Sequence, residues 1–279
     1  MKHFYDNSVH GIGNELPIET VFKGHHMLQL WSLWEILITE TPLLVVGSDP
    51  SECSHAILTM LSLITPLTTQ ADFRPYVTVQ NDDVLEYHEN IKQGKVGNLL
   101  LGISSPLLTR NFQQFPAILH LDSAYYKEKK WKDPKACELT QKVLKARKSS
   151  ESERALLLNN GLDKVQLQLQ PSSFVFEHFD LSGEDRVTLN DFSIRSHFKH
   201  MTKTLLESLS EHWRIDPTYP ELIKPFNEKE FLKSVGKENR FCRQFMFGKV
   251  DKCKKLYKRF VNTTLFHKYL NAKRKEVLA

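Results

Sequence analysis

The chain has 279 residues, 41% of them hydrophobic and 25% charged, which is an ordinary mixture for a globular protein with a sizeable core. The formal net charge of +5 is modest, but it is unevenly distributed. Residues 232–279 contain 14 Lys and Arg against 3 Asp and Glu, a net charge of +11; the rest of the chain holds the remaining 24 and 30, a net charge of −6. No apolar stretch reaches the ~18 to 20 residues that a membrane span requires, so we expect a cytoplasmic protein with at most a peripheral membrane contact.

The four cysteines form no C-x-x-C pair, and a chain of this length does not need disulfides, so we expect reduced thiols. Residues 1–25 show no period and predict an irregular lead-in. In residues 26–39, apolar side chains recur at helical spacing on a broad face, which is typical of a largely buried helix. Trp31 and Trp34 lie on this helix, and we interpret them as core packing rather than a ligand site.

A short apolar strand at residues 43–46 precedes a turn and a second helix. Asp49 can cap this helix, with Pro50 at its first position and Glu52 at its third. A strand, a tight turn and a helix amino terminus in succession could hold a phosphate. However, no G-x-G-x-x-G or G-K-[ST] pattern is present at the turn, so we do not expect a nucleotide there.

Further strands alternate with helical patterns, and these strands are predicted at residues 73–79, 98–103 and 117–121. Pro75 removes one ladder donor from the first of them, so this strand should start late, lie at an edge or carry a bulge. Asp82 and Asp83 are expected to cap the helix that follows it. The sum predicts an α/β fold for residues 26–121, with a parallel or mostly parallel open sheet and flanking helices.

The remaining chain divides into two parts. Residues 122–188 are rich in lysine with weak periodicity, and we interpret them as a basic surface excursion or linker. Only Trp131 interrupts these lysines, so the stacking series of a nucleic-acid site is missing. The pattern of residues 189–279 predicts an all-α module. One long helix is predicted from residue 189 onward, and further helices are predicted at residues 228–235, 240–260 and 265–275.

No pattern in the chain indicates covalent catalysis, a cofactor or a metal site. His197 and His200 are three residues apart, but neither an H-E-x-x-H motif nor a cysteine partner accompanies them, so we interpret them as structural. No G-x-S-x-G elbow is present. An α/β layer without a catalytic signature is interpreted as a binding platform.

Several segments resemble, in the same order, the central module of DENN-domain proteins, and most closely the sixth DENN-domain-containing subfamily. They are LWEIL at 33–37, ETPLLVV at 40–46, ADFRPYVTV at 71–79 and LLGISSP at 100–106. Three others are similar to that subfamily's helical downstream module: KPFNEKEF at 224–231, LYKRF at 256–260 and KRKE at 273–276. The resemblance covers most of residues 31–276 outside the lysine-rich excursion.

The resemblance implies a guanine-nucleotide exchange factor for a Rab-family small GTPase in endosomal vesicle traffic. Such a protein binds the switch regions and favours GDP release without covalent chemistry, because it binds the nucleotide-free GTPase better than the GDP-bound form. The family carries an upstream longin-like module, which we expect to be missing because only residues 1–25 precede the first predicted helix. A non-catalytic DENN-fold module, acting as scaffold or inhibitor, is the alternative.

Candidate partner-binding residues lie in the segments that carry the resemblance, and they are Trp34, Glu35, Asp72, Arg74, Pro75, Tyr76 and Ser105. Arg and Tyr are enriched at interface hot spots, although Arg74 could equally be a buried structural donor. A weaker second site is contact with an anionic membrane, where each basic residue contributes up to ~1 kcal/mol. Its candidates are Lys254, Lys255, Lys258 and Arg259, and the alternative is a solvated helical face.

Overall fold

The computed structural model describes residues 16–22, 26–121, 167–169, 186–210, 212 and 226–278. In chain order the elements are α1 (Ile18–Val21), α2 (His26–Ile38), β1 (Leu43–Val46), α3 (Pro50–Leu63), β2 (Asp72–Arg74), α4 (Asp83–Lys92), β3 (Leu99–Ile103), α5 (Pro106–Asn111), β4 (Ala117–His120), α6 (Arg186–Ser210), α7 (Glu228–Ser234), α8 (Arg240–Phe245), α9 (Val250–Val261) and α10 (Thr264–Leu278). Apart from residues 167–169 and 186–188, the predicted excursion at 122–188 lies outside the described residues.

Within the described residues, the strands form one parallel sheet in the order β2-β3-β1-β4. The central strand β1 pairs on both sides, with Leu43 opposite Leu100 of β3 and Ala117 of β4. Helices lie on both faces, because a parallel crossover places each connecting helix against the sheet. The predicted fold class, a parallel sheet with flanking helices followed by a helical segment, is confirmed.

Alternate side chains of β1 enter two different hydrophobic cores. Leu44 belongs to the core under α4 and α5, together with Tyr87 and Phe112. Leu43 and Val45 belong to a larger core that contains α2, α3 and much of the C-terminal helical segment. Successive side chains of a strand point to opposite faces. One face of β1 therefore packs against a small helical layer and the other face packs against a large one.

Helix α2 lies at the centre of the larger core, and the helices of the C-terminal segment close over it. The ring of Trp34 stacks on Phe241 of α8 at a centroid distance of 6.2 Å, and Phe241 contacts Tyr257 of α9 at 5.8 Å. On the preceding turn, Trp31 packs against Phe198 of α6 at 5.2 Å. The sheet layer and the helical segment thus share a single core built around α2.

The β2 region differs in detail from the sequence prediction. The strand ends at Arg74, because Pro75 follows, and it pairs with β3 alone among the described strands, as predicted for an edge strand. The chain nevertheless continues alongside β3, since the Val77 N–H donates to the Gly102 carbonyl at 2.8 Å. The predicted cap by Asp82 is wrong: its backbone is already helical and its side chain makes no capping hydrogen bond.

The prediction of one helix over residues 240–260 is also wrong. Helix α8 ends at Phe245 and α9 begins at Val250, because two consecutive residues between them adopt positive φ values. Phe247 has φ 50° and Gly248 has φ 71°. Glycine tolerates this left-handed conformation without steric cost, so Gly248 permits the turn that the apolar periodicity of the segment hides.

Candidate functional site

The carboxyl ends of β1 and β3 form the crevice in which parallel α/β sheets commonly bind ligands. β1 and β3 are neighbours, but α3 follows β1 into the larger core and α5 follows β3 onto the opposite face. The segments that follow β1 and β3 therefore diverge at this edge. The candidate residues Pro75, Tyr76 and Ser105 all follow the carboxyl end of β2 or β3 and so lie along the same edge.

The amino end of α3 is occupied by its own acidic side chains. Asp49 accepts a hydrogen bond from the Glu52 N–H at 2.9 Å, and Glu52 Oε2 accepts from the Ser48 N–H at 2.7 Å and the Ser48 hydroxyl at 2.8 Å. The bond to Asp49 satisfies one backbone donor of the first turn, the Glu52 N–H, and the carboxylates complement the helix dipole. The predicted cap at Asp49, with Pro50 at the first helical position and Glu52 at the third, is confirmed. Carboxylates lie where a phosphate would bind at a helix amino terminus.

Behind this edge, the chain that follows β2 is locked against β3. The Tyr76 hydroxyl and the Ser104 hydroxyl are 2.7 Å apart. Gly102 has to be glycine, because a Cβ there would collide with the Pro75 carbonyl. Cys53 donates its thiol to the Ile103 carbonyl at 3.2 Å, and burial raises the pKa of that thiol to about 11. Cys53 is therefore a neutral structural group, since the thiolate is the nucleophilic form.

Arg74 and Asp72 lie on the outer edge of the sheet beside the first turn of α4. The Arg74 guanidinium contacts Asp72 at 3.2 Å and Asp83 at 3.5 Å. The Arg74 side chain is 48% exposed, so it is not the buried structural donor that the sequence left open. Both charged residues are accessible to a partner.

Three exposed apolar side chains lie in the segments that follow the carboxyl ends of β2 and β3. Val79 is 51% exposed, Leu85 on α4 is 77% exposed and Leu107 on α5 is 59% exposed. They are three of the five exposed large hydrophobic residues in the described ranges, and all three follow the carboxyl end of β2 or β3. We call the set Tyr76, Val79, Leu85, Ser105 and Leu107 the carboxyl-edge surface. Clustered exposed apolar residues are typical of interaction sites.

Sequence reasoning missed the three apolar members of this surface. One signal was available for Leu85, because the buried positions of α4 are Val84, Tyr87 and Ile91, and Leu85 lies off that helical stripe. Val79 and Leu107 gave no comparable signal. Val79 continues the apolar alternation of a predicted strand, and Leu107 stands beside the buried Leu108.

Trp34 and Glu35 have no exposed surface, so the prediction that they contact a partner is corrected. The Trp34 indole N–H donates to the Thr202 hydroxyl of α6 at 2.9 Å. The Glu35 carboxylate accepts from the backbone N–H groups of Gln168 at 2.7 Å and Leu169 at 2.8 Å, and from Arg259 at 3.0 Å. Both residues hold the helical segment against α2.

The membrane candidate Arg259 is only 32% exposed, and its guanidinium is bound within the protein. Besides the bond to Glu35, its guanidinium donates to the hydroxyls of Thr39 at 2.8 Å and Thr41 at 2.9 Å. The guanidinium therefore lies against the end of α2 and the turn before β1. The other membrane candidates lie on the outer side of α9, where Lys255 and Lys258 are exposed and Lys254 is half-buried.

The two histidines singled out on α6 pack against aromatic rings. His197 Nε2 accepts from the Trp31 indole N–H at 3.2 Å, and burial lowers the pKa of His197 to about 4. His200 lies 5.8 Å from the Phe245 ring. Within the described ranges, no three His, Cys, Asp or Glu side chains are grouped closely enough to hold a metal ion.

Comparison with known proteins finds similar curated proteins that share one name. No family model matches the chain. It is 23% identical over 286 aligned residues to "Protein DENND6 homolog" of Dictyostelium discoideum, an alignment covering 90% of this chain and 39% of that protein. It is 26% identical over 247 residues to human "Protein DENND6B", covering 80% of this chain and 40% of that protein. These alignments cover most of this chain and support its resemblance to DENN-domain proteins of the DENND6 subfamily.

The mouse "Protein DENND6A" gives the same result, with 24% identity over 263 residues that cover 88% of this chain and 40% of that protein. The chain thus spans about two fifths of the length of the curated relatives it matches. The similarity to DENND6 proteins agrees with the resemblance seen in the short segments of the sequence. In the part of the chain that the structure describes, no helix has the length and apolar character needed to cross a membrane.

Proposed function

We propose that this chain binds a Rab-family small GTPase through the carboxyl-edge surface and acts as a guanine-nucleotide exchange factor. The observation that carries the proposal is the placement of Val79, Leu85 and Leu107, exposed apolar residues on one edge of a rigid sheet. Similarity to DENND6 proteins supports the partner class. No residue needs to perform covalent chemistry, because exchange requires only differential binding of two GTPase states.

The charges around the carboxyl-edge surface define the partner further. Leu85 stands in the first turn of α4 between Asp82, Asp83 and Glu86. Arg74 neutralises Asp83 in part, at 3.5 Å, and leaves Asp82 and Glu86 exposed. A partner that fits this surface presents an apolar patch with cationic residues at its rim, since interfaces match charge at the rim and bury apolar groups at the centre.

Exchange by this route has a definite energetic requirement. To raise GDP release, the chain has to bind the nucleotide-free GTPase more tightly than the GDP-bound form, and each tenfold preference corresponds to about 1.4 kcal/mol. The Tyr76–Ser104 hydrogen bond and the contact of Pro75 with Gly102 fix the backbone that presents the surface. A preorganised surface loses less entropy on binding, so more of the contact energy is available to displace the nucleotide.

A non-catalytic DENN module is the second candidate. The carboxyl-edge surface belongs to a chain that spans about two fifths of its relatives' length, so a surface that binds the GTPase without opening its nucleotide pocket is a separate possibility. Such a chain would act as a scaffold or an inhibitor. Binding without GDP release distinguishes it from the first candidate.

The test is a panel of purified Rab GTPases, each offered to the chain in nucleotide-free and GDP-bound form and each assayed for release of fluorescent GDP. We expect at least one Rab to bind preferentially without nucleotide and to release GDP faster. Leu85→Asp and Leu107→Asp should each weaken that binding about tenfold or more, because each puts a charge into an apolar contact. Phe192→Asp, a substitution at a 71% exposed position on α6, is the matched control.

The proposal fails if no Rab binds in either state. It also fails if the Leu85 and Leu107 variants bind as well as the Phe192 variant, because the contact would then lie elsewhere. Binding with an unchanged rate of GDP release supports the non-catalytic module instead.

A further inference from the structure

The turn between α8 and α9 holds a phenylalanine out in solvent. Phe247 is 61% exposed and has φ 50°, and Gly248 after it has φ 71°. The Gly248 N–H donates to the Cys242 carbonyl at 3.0 Å, and Lys249 N–H donates to the Met246 carbonyl at 2.9 Å, so hydrogen bonds on both sides close the turn. A non-glycine residue in this conformation is uncommon and costs free energy, and the Phe247 ring gains no burial within the described protein in return.

The outer face of α9 carries lysines that form no ion pair with any residue the structure describes. Lys254, Lys255 and Lys258 are related by i, i+1 and i+4, so they lie within about 100° of one another around the helix. The inner face of α9 is buried at Cys253, Leu256, Tyr257 and Phe260. Among the described residues none of these three lysines forms an ion pair, and neither does Lys249, which is exposed beside the turn.

Other basic side chains of the C-terminal segment do form ion pairs with acidic residues. Arg259 pairs with Glu35 at 3.0 Å, Arg240 pairs with Glu207 at 3.1 Å, and Lys273 pairs with Glu276. The lysines on the outer face of α9 have no such partner within the described ranges. Their charge is therefore directed to solvent in a segment whose net charge is +11 over residues 232–279.

We propose that Phe247, Lys249, Lys254, Lys255 and Lys258 form a contact site for an anionic lipid bilayer. The phenyl ring enters the boundary between headgroups and acyl chains, and the lysine ammonium groups contact lipid phosphates and carboxylates while staying hydrated. The stretch from Val250 to Lys258 is about 12 Å long, so the outer face of α9 can lie along the headgroup layer with the ring at one end.

A bilayer fits these residues better than other polyanions do. A single-stranded nucleic acid is held by a series of stacked aromatic rings, and this face presents one ring at its end. An acidic protein would pair with the lysines but would leave the exposed ring without a specific role. The proposal does not depend on the carboxyl-edge surface, because it uses a different part of the molecule.

The test is co-sedimentation of the full chain with two kinds of vesicle, pure phosphatidylcholine and equal parts phosphatidylcholine and phosphatidylserine. We expect binding to the mixed vesicles that weakens as salt is raised, and little binding to the neutral vesicles. A Lys254→Glu, Lys255→Glu, Lys258→Glu triple variant should lose about 100-fold or more in partition coefficient, and Phe247→Ser about tenfold. Controls are Phe192→Ser for the ring and Lys92→Glu, Lys95→Glu, Lys203→Glu for the net charge.

Each other outcome overturns the proposal. Equal binding to both kinds of vesicle, or to neither, removes the anionic bilayer as the ligand. An equal loss in the two triple variants assigns binding to net charge rather than to the face of α9. Competition by soluble polyglutamate or RNA as strong as that by anionic vesicles, with Phe247→Ser unchanged, identifies a soluble polyanion as the ligand instead. Thermal unfolding of each variant shows whether the fold is retained.

Discussion

Helix α2 and the carboxyl-edge surface both contain sequence that resembles the central DENN module, but one is buried and the other is exposed. In α2, Trp34 and Glu35 have no accessible surface and hold α6 and α9 in place. At the sheet edge, Tyr76 contacts Ser104, and Val79 and Leu107 in the segments that follow β2 and β3 are exposed. Family resemblance therefore marks two kinds of position: one kind joins the sheet to the helical segment, and the other is available to a partner.

The largest effect on stability is expected at Glu35. Glu35→Ala removes the carboxylate that accepts from Arg259 and from the backbone N–H groups of Gln168 and Leu169. We expect a loss of about 3 kcal/mol in the free energy of unfolding, measured by urea titration, because breaking a buried pair leaves uncompensated polar groups. Glu86→Ala, at an exposed position of α4, is the control and should stay within about 0.5 kcal/mol of wild type. Equal midpoints for the two variants would contradict the structural role of Glu35.

The next effect is a pH dependence located at His197. Burial lowers the pKa of His197 to about 4, from an ordinary value of 6.5, so the unfolded chain binds a proton there more readily than the folded chain does. The stabilisation is complete above pH 6.5 and is lost as the pH falls towards 4, with a total of about 3 kcal/mol.

His197→Gln provides the measurement for this assignment. Glutamine can still accept the hydrogen bond from Trp31, which is 3.2 Å in the native protein, but it does not titrate. Urea midpoints measured between pH 4 and 7 should fall less steeply in the variant than in the wild type. Parallel curves for the two proteins would show that the acid sensitivity arises at another group.

A smaller effect is expected at Tyr76, where the exposed edge is fixed to β3. Tyr76→Phe removes the hydrogen bond to Ser104, which is 2.7 Å long, and should lower the free energy of unfolding by about 1 kcal/mol. Tyr87→Phe is the matched control, because the Tyr87 hydroxyl is 3.5 Å from Asp72 and makes a weaker contact. If both variants unfold alike, the Tyr76 hydroxyl does not fix this segment.

The smallest effect on stability is expected at Leu107, although its effect on partner binding should be large. Leu107→Ser changes a side chain that is 59% exposed, so the free energy of unfolding should stay within about 0.5 kcal/mol of wild type. A larger loss of stability would show that Leu107 packs against the protein in solution and is not free to contact a partner.

Local sequence signals predicted strand β1 and the start of α3 accurately. Strand β1 has the predicted bounds, and Asp49, Pro50 and Glu52 occupy the predicted capping positions, because caps and apolar runs depend on neighbouring residues. The break between α8 and α9 at Phe247 and Gly248 was not predicted. The apolar period continues through it, and only the backbone shows the change of direction.

The roles of Glu35 and Arg259 could not be read from the sequence. The two residues are separated by 224 positions, and nothing near either of them indicates the other. A glutamate beside a tryptophan and an arginine in a lysine-rich helix both look like surface residues, because charged side chains are rarely buried without a partner. The fold brings the two residues together, so Glu35 is buried and Arg259 pairs with it at the rim of the core.

Hydrogen exchange of the chain, with and without a nucleotide-free Rab GTPase that binds it, tests the central claim most directly. Binding through the carboxyl-edge surface predicts slower exchange at residues 76–86 and 104–109, with little change in α2, whose amides are already buried. Protection confined to α7–α10, with the sheet edge unchanged, would contradict the account.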